Sequence, residues 1–314
     1  ILVGTHAVFQ QDVHFADLRL AIVDEQHRFG VRQRMELAEK GMGADVLVMT
    51  ATPIPRTLTL TIYGDLDVSI LDERPAGRGE IITAVRKKPK VTDITKFLKE
   101  QLTKKRQTYL VYPLVEESDA LKAAAATVEY EKWVKRLSKF TVGLLHGKMK
   151  PEEKDAVMTA FRDGELDVLV ATTVIEVGVD VPNANTMIIH NAERFGLAQL
   201  HQLRGRIGRG AHKSYCILTT DGKSVDAMEK LQVMADTSDG FKIAEADLRI
   251  RGPGDVLGTD QSGLTNLKFI DYLADTELIR EARQLAEKVL ENDPLLEKSP
   301  ALLRLIQDGE VEVG

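Results

Sequence analysis

Two arginines three positions apart, Arg206 and Arg209, stand in the run Gln202-Leu203-Arg204-Gly205-Arg206-Ile207-Gly208-Arg209-Gly210. A guanidinium is planar and donates two parallel hydrogen bonds, which suits the spread charge of a phosphate. The intervening small residues let backbone and ligand approach closely. If the segment opens a helix, both side chains point the same way. A solvated basic helix face is the plainer reading of a short charge run. Against it, a glycine before each arginine costs about 1 kcal/mol apiece in a helix kept only for solubility.

Carboxylates that could complement such cations follow an apolar run. Leu18–Val23 is expected as a buried strand ending on Asp24-Glu25-Gln26-His27, and the C-terminal ends of such strands face the ligand crevice of an open α/β sheet. Asp24 there could hold Mg²⁺ through its waters, and Glu25 could orient or deprotonate an attacking water. An acidic strand-to-loop cap is the bland alternative. The next strand, Asp45–Met49, ends on Thr50-Ala51-Thr52-Pro53, a rigid hydroxyl-bearing turn that could bond phosphates or cap a helix over Arg56–Tyr63. Asp167–Ala171 ends on Thr172-Thr173, suited to phosphate-backbone contacts, and continues to Asp180, suited to a ribose or a partner arginine.

Acidic loops and paired arginines together suggest nucleotide hydrolysis at a lobe interface, which needs a phosphate cradle. No G-x-x-x-x-G-K-[ST] run supplies one. Gly222-Lys223-Ser224 has Ile217 where the first glycine belongs, and Gly147-Lys148 is followed by Met149.

The elements that must position these groups alternate short β-branched strands with amphipathic helices, the pattern of a parallel sheet covered on both faces. After a linker candidate at Asp72–Gly79, strands are expected at Ile81–Val85, Thr108–Tyr112, Thr141–His146, Thr186–His190 and Ser214–Thr219. Helices are expected at Val91–Lys105, Ser118–Ser138, Pro151–Arg162 and Glu277–Glu291, with Trp133 packed in the core, and Gly196–Leu203 leads into the arginine stretch.

Composition bounds the function classes. The 314 residues suffice for two ordinary domains, and 43% hydrophobic with 29% charged residues is a globular profile. A single cysteine, Cys216, excludes an internal disulfide framework and suits a reducing, cytoplasmic setting. No apolar run is long enough to span a bilayer. The net charge of -6 makes any DNA contact a local patch. Opening on Ile1-Leu2-Val3, without a leader, the chain reads as a piece of something longer.

In the ordered set Gly4-Thr5-His6, Asp24-Glu25-Gln26-His27, Thr50-Ala51-Thr52-Pro53, Ala171-Thr172-Thr173 through Asp180, and Gln202 through Arg209, the chain resembles superfamily 2 helicases. Within them it is similar to the carboxy-terminal portion of the RecG family, bacterial ATP-dependent DNA helicases that remodel stalled forks and Holliday junctions. That narrower resemblance rests on Pro53–Leu58, Tyr112–Ser118, Glu193–Gln202 and Asp247–Gly258 with Gln261-Ser262-Gly263.

The resemblance implies two RecA-like parallel-sheet lobes, the first incomplete, followed by a mostly helical translocation element. Residues 1–75 would belong to lobe 1, 76–222 to lobe 2, 223–275 to the translocation hairpin and loop, and 276–314 to a C-terminal helical segment. ATP and Mg²⁺ are the implied cofactors. Asp24 and Glu25 would be the metal and water carboxylates, with Arg206 and Arg209 as arginine fingers to the γ-phosphate. His27, Gln202, Gly178 and Asp180 would lie toward the nucleotide. Gly4, Thr5, Thr50, Thr52, Thr172, Thr173, Arg249, Arg251 and Gln261 would contact DNA or couple it to nucleotide state.

Branched DNA is the implied partner, with single-stranded-DNA-binding protein as a second; a monomer without membrane attachment is implied. With the family's phosphate loop missing, the chain by itself is expected to be inactive and to expose apolar strand edges. His190 stands where an acidic residue is expected and is given no role. The runner-up is a transcription-repair coupling factor-type translocase, and a nucleotide-independent DNA-binding module is the alternative of another class.

Overall fold

Alternation of side chains along the strands decides the architecture. The computed structural model describes residues 1–9, 13–24, 44–50, 67–71, 73, 77–113, 119–172, 180–251 and 275–311. It divides into two compact units, one of residues 1–69 with 251–314 and one of residues 70–250.

The second unit is built on six parallel strands: β3 (Ile81–Lys87), β4 (Gln107–Val111), β5 (Val142–Leu145), β6 (Val168–Ala171), β7 (Ala184–Ile189) and β8 (Ser214–Thr220), ordered β3-β8-β7-β4-β6-β5. Successive residues point to opposite faces. Tyr109, Leu169, Ala171, Met187, Ile189, Cys216 and Leu218 therefore enter one core, while Leu110, Val168, Val170 and Ile188 enter the other.

Helices α1 (Val91–Thr103) and α2 (Asp119–Arg136) cover the second of these faces with Ile94, Leu98, Leu102 and Trp133. The first face takes Met158 and Phe161 of α3 (Pro151–Arg162), the leucines of α4 (Leu197–Arg204), Leu231 and Met234 of α5 (Val225–Asp236), and Ile243 of α6 (Gly240–Arg251). Both faces are covered, as the near-continuous apolar strands require. Pro151 opens α3, its fixed φ suiting the first helical turn. The core packing expected of Trp133 is observed: it is 1% exposed and donates its Nε1 hydrogen to the Tyr112 hydroxyl at 2.7 Å.

In the first unit, β1 (Leu20–Val23) and β2 (Asp45–Val48) pair in parallel, Leu20 opposite Asp45 and Val23 opposite Val48. The first strand was expected to be buried, and it is not. Val23 is covered, but Leu20, Ile22, Leu47 and Met49 share a face that is about half exposed. Alternation along the two strands puts these side chains on one face of the sheet. Helices α7 (Thr276–Asn292) and α8 (Pro300–Val311) also belong to this unit. Among the described residues no helix is long and apolar enough to cross a membrane.

Candidate functional site

All strand pairings of the six-stranded sheet are parallel, so its two edges are chemically different. At one edge lie the segments that enter the strands, including Asp180–Asn183 before β7 and Gly205–Lys213 before β8. The arginine stretch is at this edge. It does not open a helix: α4 ends at Arg204, and Arg206 and Arg209 follow in a turn and loop. Glycine explains the break. Gly208 has φ +76°, a left-handed conformation that other residues rarely adopt, and a Cβ there would meet the Ile81 side chain at 2.6 Å. A Cβ on Gly210 would meet the Pro182 carbonyl oxygen at 2.6 Å. The expectation of a shared helix face is thereby corrected, and loop geometry does the presenting.

Arg209 is held from two sides. Its Nη1 lies 3.4 Å from Asp180 Oδ1, and its Nε donates to the Gly205 carbonyl at 3.2 Å. The Arg209 side chain is 27% exposed and that of Asp180 55%. Such a pair is worth about 0–1 kcal/mol, so it orients the guanidinium without locking it. Tyr109 sits close enough to feel Arg206, Arg209 and Asp180. Burial raises its phenol above the ordinary range, and the two arginines offset part of that rise.

Arg204, the last residue of α4, does different work. It is 4% exposed, and its Nη1 donates to Met234 O at 2.7 Å and Thr237 O at 2.9 Å, with Thr83 Oγ1 at 3.4 Å. Its Nη2 lies 3.2 Å from His201 Nδ1. A buried cation spread over the last carbonyls of a helix satisfies groups that have no intrahelical partner and complements the helix dipole. Arg204 thus fastens the arginine loop to the end of α5 and the turn into α6. Lys230 on α5 makes a second fastening, donating to Glu193 O and Phe195 O, both at 2.7 Å. Sequence reasoning missed both residues. Arg204 was visible only as a third arginine in the same run.

At the opposite edge, where strands end, Thr172 is 3% exposed, and its backbone N–H donates to Leu145 O at 3.2 Å. Tyr112 and His190 directly follow adjacent strands β4 and β7 and stack with ring centroids 4.4 Å apart and 12° between planes. The Tyr112 hydroxyl donates to Glu129 Oε2 at 3.3 Å, and His190 Nδ1 lies 3.4 Å from Thr219 Oγ1. Burial pushes the imidazole down to about 4, with Glu129 pulling upward and Arg136 adding to the depression. Cys216 is fully buried in the sheet and its thiol is pushed up to about 12, which makes it an inert core residue.

Asp180 and Thr172 flank one connection yet lie at opposite edges of the sheet. Within the first unit, Asp24 and Thr50 follow adjacent parallel strands, and Met49 N donates to Val23 O at 2.8 Å, so these two predicted residues are brought together. Both are exposed, as are Gly4 and Thr5 beside a short helical turn at His6–Phe9. Gln202 and Arg206 are half-buried, and Arg249 is exposed on α6. Arg251 ends α6. Glu25, His27, Thr52, Thr173, Gly178 and Gln261 lie outside the described residues.

The donor chemistry fits a nucleotide in part. Two half-exposed guanidinium groups beside a carboxylate suit an anionic end, and Asp24 is a single carboxylate of the kind that holds Mg²⁺ through waters. Among the described residues no group of three or more His, Cys, Asp or Glu could hold a metal directly.

The fold and this arginine edge define a class. Residues 89–211 match the family of helicase conserved C-terminal domains. Residues 237–307 match domain 3, C-terminal, of the ATP-dependent DNA helicase RecG. Over 316 aligned residues the sequence is 50% identical to the ATP-dependent DNA helicase RecG of Synechocystis sp., covering 100% of this chain and 38% of the relative. The RecG of Bacillus subtilis is 48% identical over 316 residues, covering 99% and 46%. The solved structure of RecG bound to a three-way DNA junction superposes with a TM-score of 0.68 at 46% identity, covering 88% of this chain and 35% of that one. The chain corresponds to the carboxy-terminal portion of RecG and spans about 40% of the length of the curated relatives it matches.

Proposed function

We propose that the chain is the motor's second lobe, its translocation hairpin and the end of its first lobe, from an ATP-driven double-stranded-DNA translocase that remodels stalled forks and branch-migrates Holliday junctions. The observation that carries this reading is Arg204. One short segment holds two half-exposed arginines suited to phosphate and a buried arginine bonded to the hairpin's main chain.

In this reading ATP with Mg²⁺ supplies the phosphoryl bond whose cleavage powers the cycle. Arg206 and Arg209 act as arginine fingers that stabilise charge on the transferring phosphoryl group, with Gln202 beside them. Asp180 holds Arg209 in register, and Gly178 lies in the same connection. Asp24 would hold the metal through its waters, Glu25 would orient the attacking water, and His27 would lie toward the nucleotide. Thr50 and Thr52 couple nucleotide state to DNA. Gly4, Thr5 and Thr173 touch the DNA backbone without reading sequence, Thr172 itself being buried, while Arg249, Arg251 and Gln261 track the duplex. Movement of the arginine loop pulls on α5 through Arg204 and so reaches the hairpin. Single-stranded-DNA-binding protein is a candidate partner, and the setting is the bacterial cytoplasm.

ATP turnover with and without forked DNA tests this, on the chain as given and on an N-terminally extended form. Fork-stimulated turnover by the extended form alone is expected, lowered about 10³-fold or more by Arg209→Ala. Turnover by the short chain would reveal a phosphate site elsewhere. Silence from both with DNA binding intact would leave a nucleotide-independent binding module.

A further inference from the structure

Helix α1 buries Ile94, Leu98 and Leu102 against the sheet and carries a shallow, open basic groove of about 1020 Å³ along its other side, bordered by Arg136 of α2. Lys96, Lys99 and Lys104 stand exposed along it, and Glu100 is the lone carboxylate among the lining residues. None of the four cations forms an ion pair with a described residue, which is notable in a chain of net charge -6. Arg136 is held in place, its guanidinium carbon 5.1 Å above the Trp133 ring.

Between the charges the walls are apolar. Thr95 and Thr103 turn their hydroxyls back to Val91 O and Lys99 O, at 2.8 and 2.7 Å, which leaves methyl groups, lysine stems and Val91 to line the groove. Thirteen helical residues give it a length of about 20 Å.

We propose that this groove is a docking site for an acidic, partly apolar peptide segment of a partner protein. Four cations supply charge complementarity, and the apolar walls take intervening side chains. Single-stranded nucleic acid fits less well, because such strands are held by aromatic stacking. No aromatic residue lines the groove, and the nearby Trp133 ring is buried under Arg136.

Fluorescence anisotropy with a short labelled peptide alternating Asp or Glu with Leu and Phe tests the proposal on the full chain. Saturable binding is expected, weakened about tenfold or more by Lys96→Glu with Lys99→Glu at an unchanged thermal midpoint. A peptide of equal charge with serines replacing Leu and Phe should bind less tightly. Should the charge reversal disturb folding, Lys99→Cys carrying a bulky maleimide blocks the groove instead, since Cys216 is buried and unreactive. Undiminished binding in the blocked or reversed protein overturns the proposal. So does a single-stranded oligonucleotide that binds through these lysines while the peptide does not.

Discussion

The two edges of the six-stranded sheet solve opposite problems. Where strands begin, backbone comes close to backbone, glycines replace side chains, and Arg206 and Arg209 stay half-open to solvent. Where strands end, Tyr112 and His190 stack and a buried imidazole gives up its charge. One edge holds two arginines half-open to solvent, and the other buries an imidazole in its uncharged form. On the proposed function, chemistry in this protein is not confined to the carboxyl ends of the strands: Asp24 and Thr50 follow strands, where ligands of open α/β sheets usually sit, whereas the arginine loop precedes one.

The contrast can be broken most severely at Arg204. Arg204→Met strands two main-chain carbonyls that now share a buried cation, and a loss of about 3–5 kcal/mol is expected, read by urea denaturation of the whole chain. A loss below about 1 kcal/mol would mean that the arginine edge is not anchored there.

His190 sharpens the contrast from the other side. Its folded-state value, about 4, lies below the ordinary 6.5, so the unfolded chain binds more protons between these limits. Stability is fully present above about pH 6.5 and falls as the pH drops toward 4, by about 2–3 kcal/mol in total. His190→Gln should flatten this part of the profile, measured by urea melts from pH 7.5 to 4.5. An unchanged slope would assign the acid sensitivity to other groups.

The smallest effect is expected at the half-open pair. Asp180→Asn should shift stability by about 0.5 kcal/mol or less in the same melts, because exposed ion pairs contribute little. A loss several times larger would show that Asp180 does structural work and that the two edges differ less than described.

Much of the second unit was legible because its strands are apolar on both faces. Val168–Ala171 admits no other comfortable reading between a helix pattern and a pair of threonines, and Pro151 marks a helix start by its own geometry. The arginine loop was legible as chemistry but not as shape. The local sign that α4 stops at Arg204 is the glycines that follow, Gly205 and Gly208, while the closeness of Ile81, more than a hundred residues away, to any Cβ at Gly208 is visible only in the fold. Nor can spacing separate Arg204 from Arg206 and Arg209, because only distant carbonyls distinguish a buried guanidinium from an open one. β1 misled in the opposite direction: its apolar run reads as buried, yet the face bearing Leu20, Ile22, Leu47 and Met49 is about half exposed. The pairing of Tyr112 with His190 was hidden by their separation in sequence, although each stands directly after a strand.

Arg204 and Lys230 both grip carbonyl oxygens, at Met234, Thr237, Glu193 and Phe195. Every amino acid carries that oxygen. The joint therefore reads the path of the main chain and is blind to which side chains decorate it. Substitution at Thr237 and Glu193 leaves the grip intact as long as the backbone holds its course, whereas Met234 and Phe195 are fixed by their own burial in the core. A coupling of this kind asks only for main-chain position, and any further constraint on its partners comes from packing.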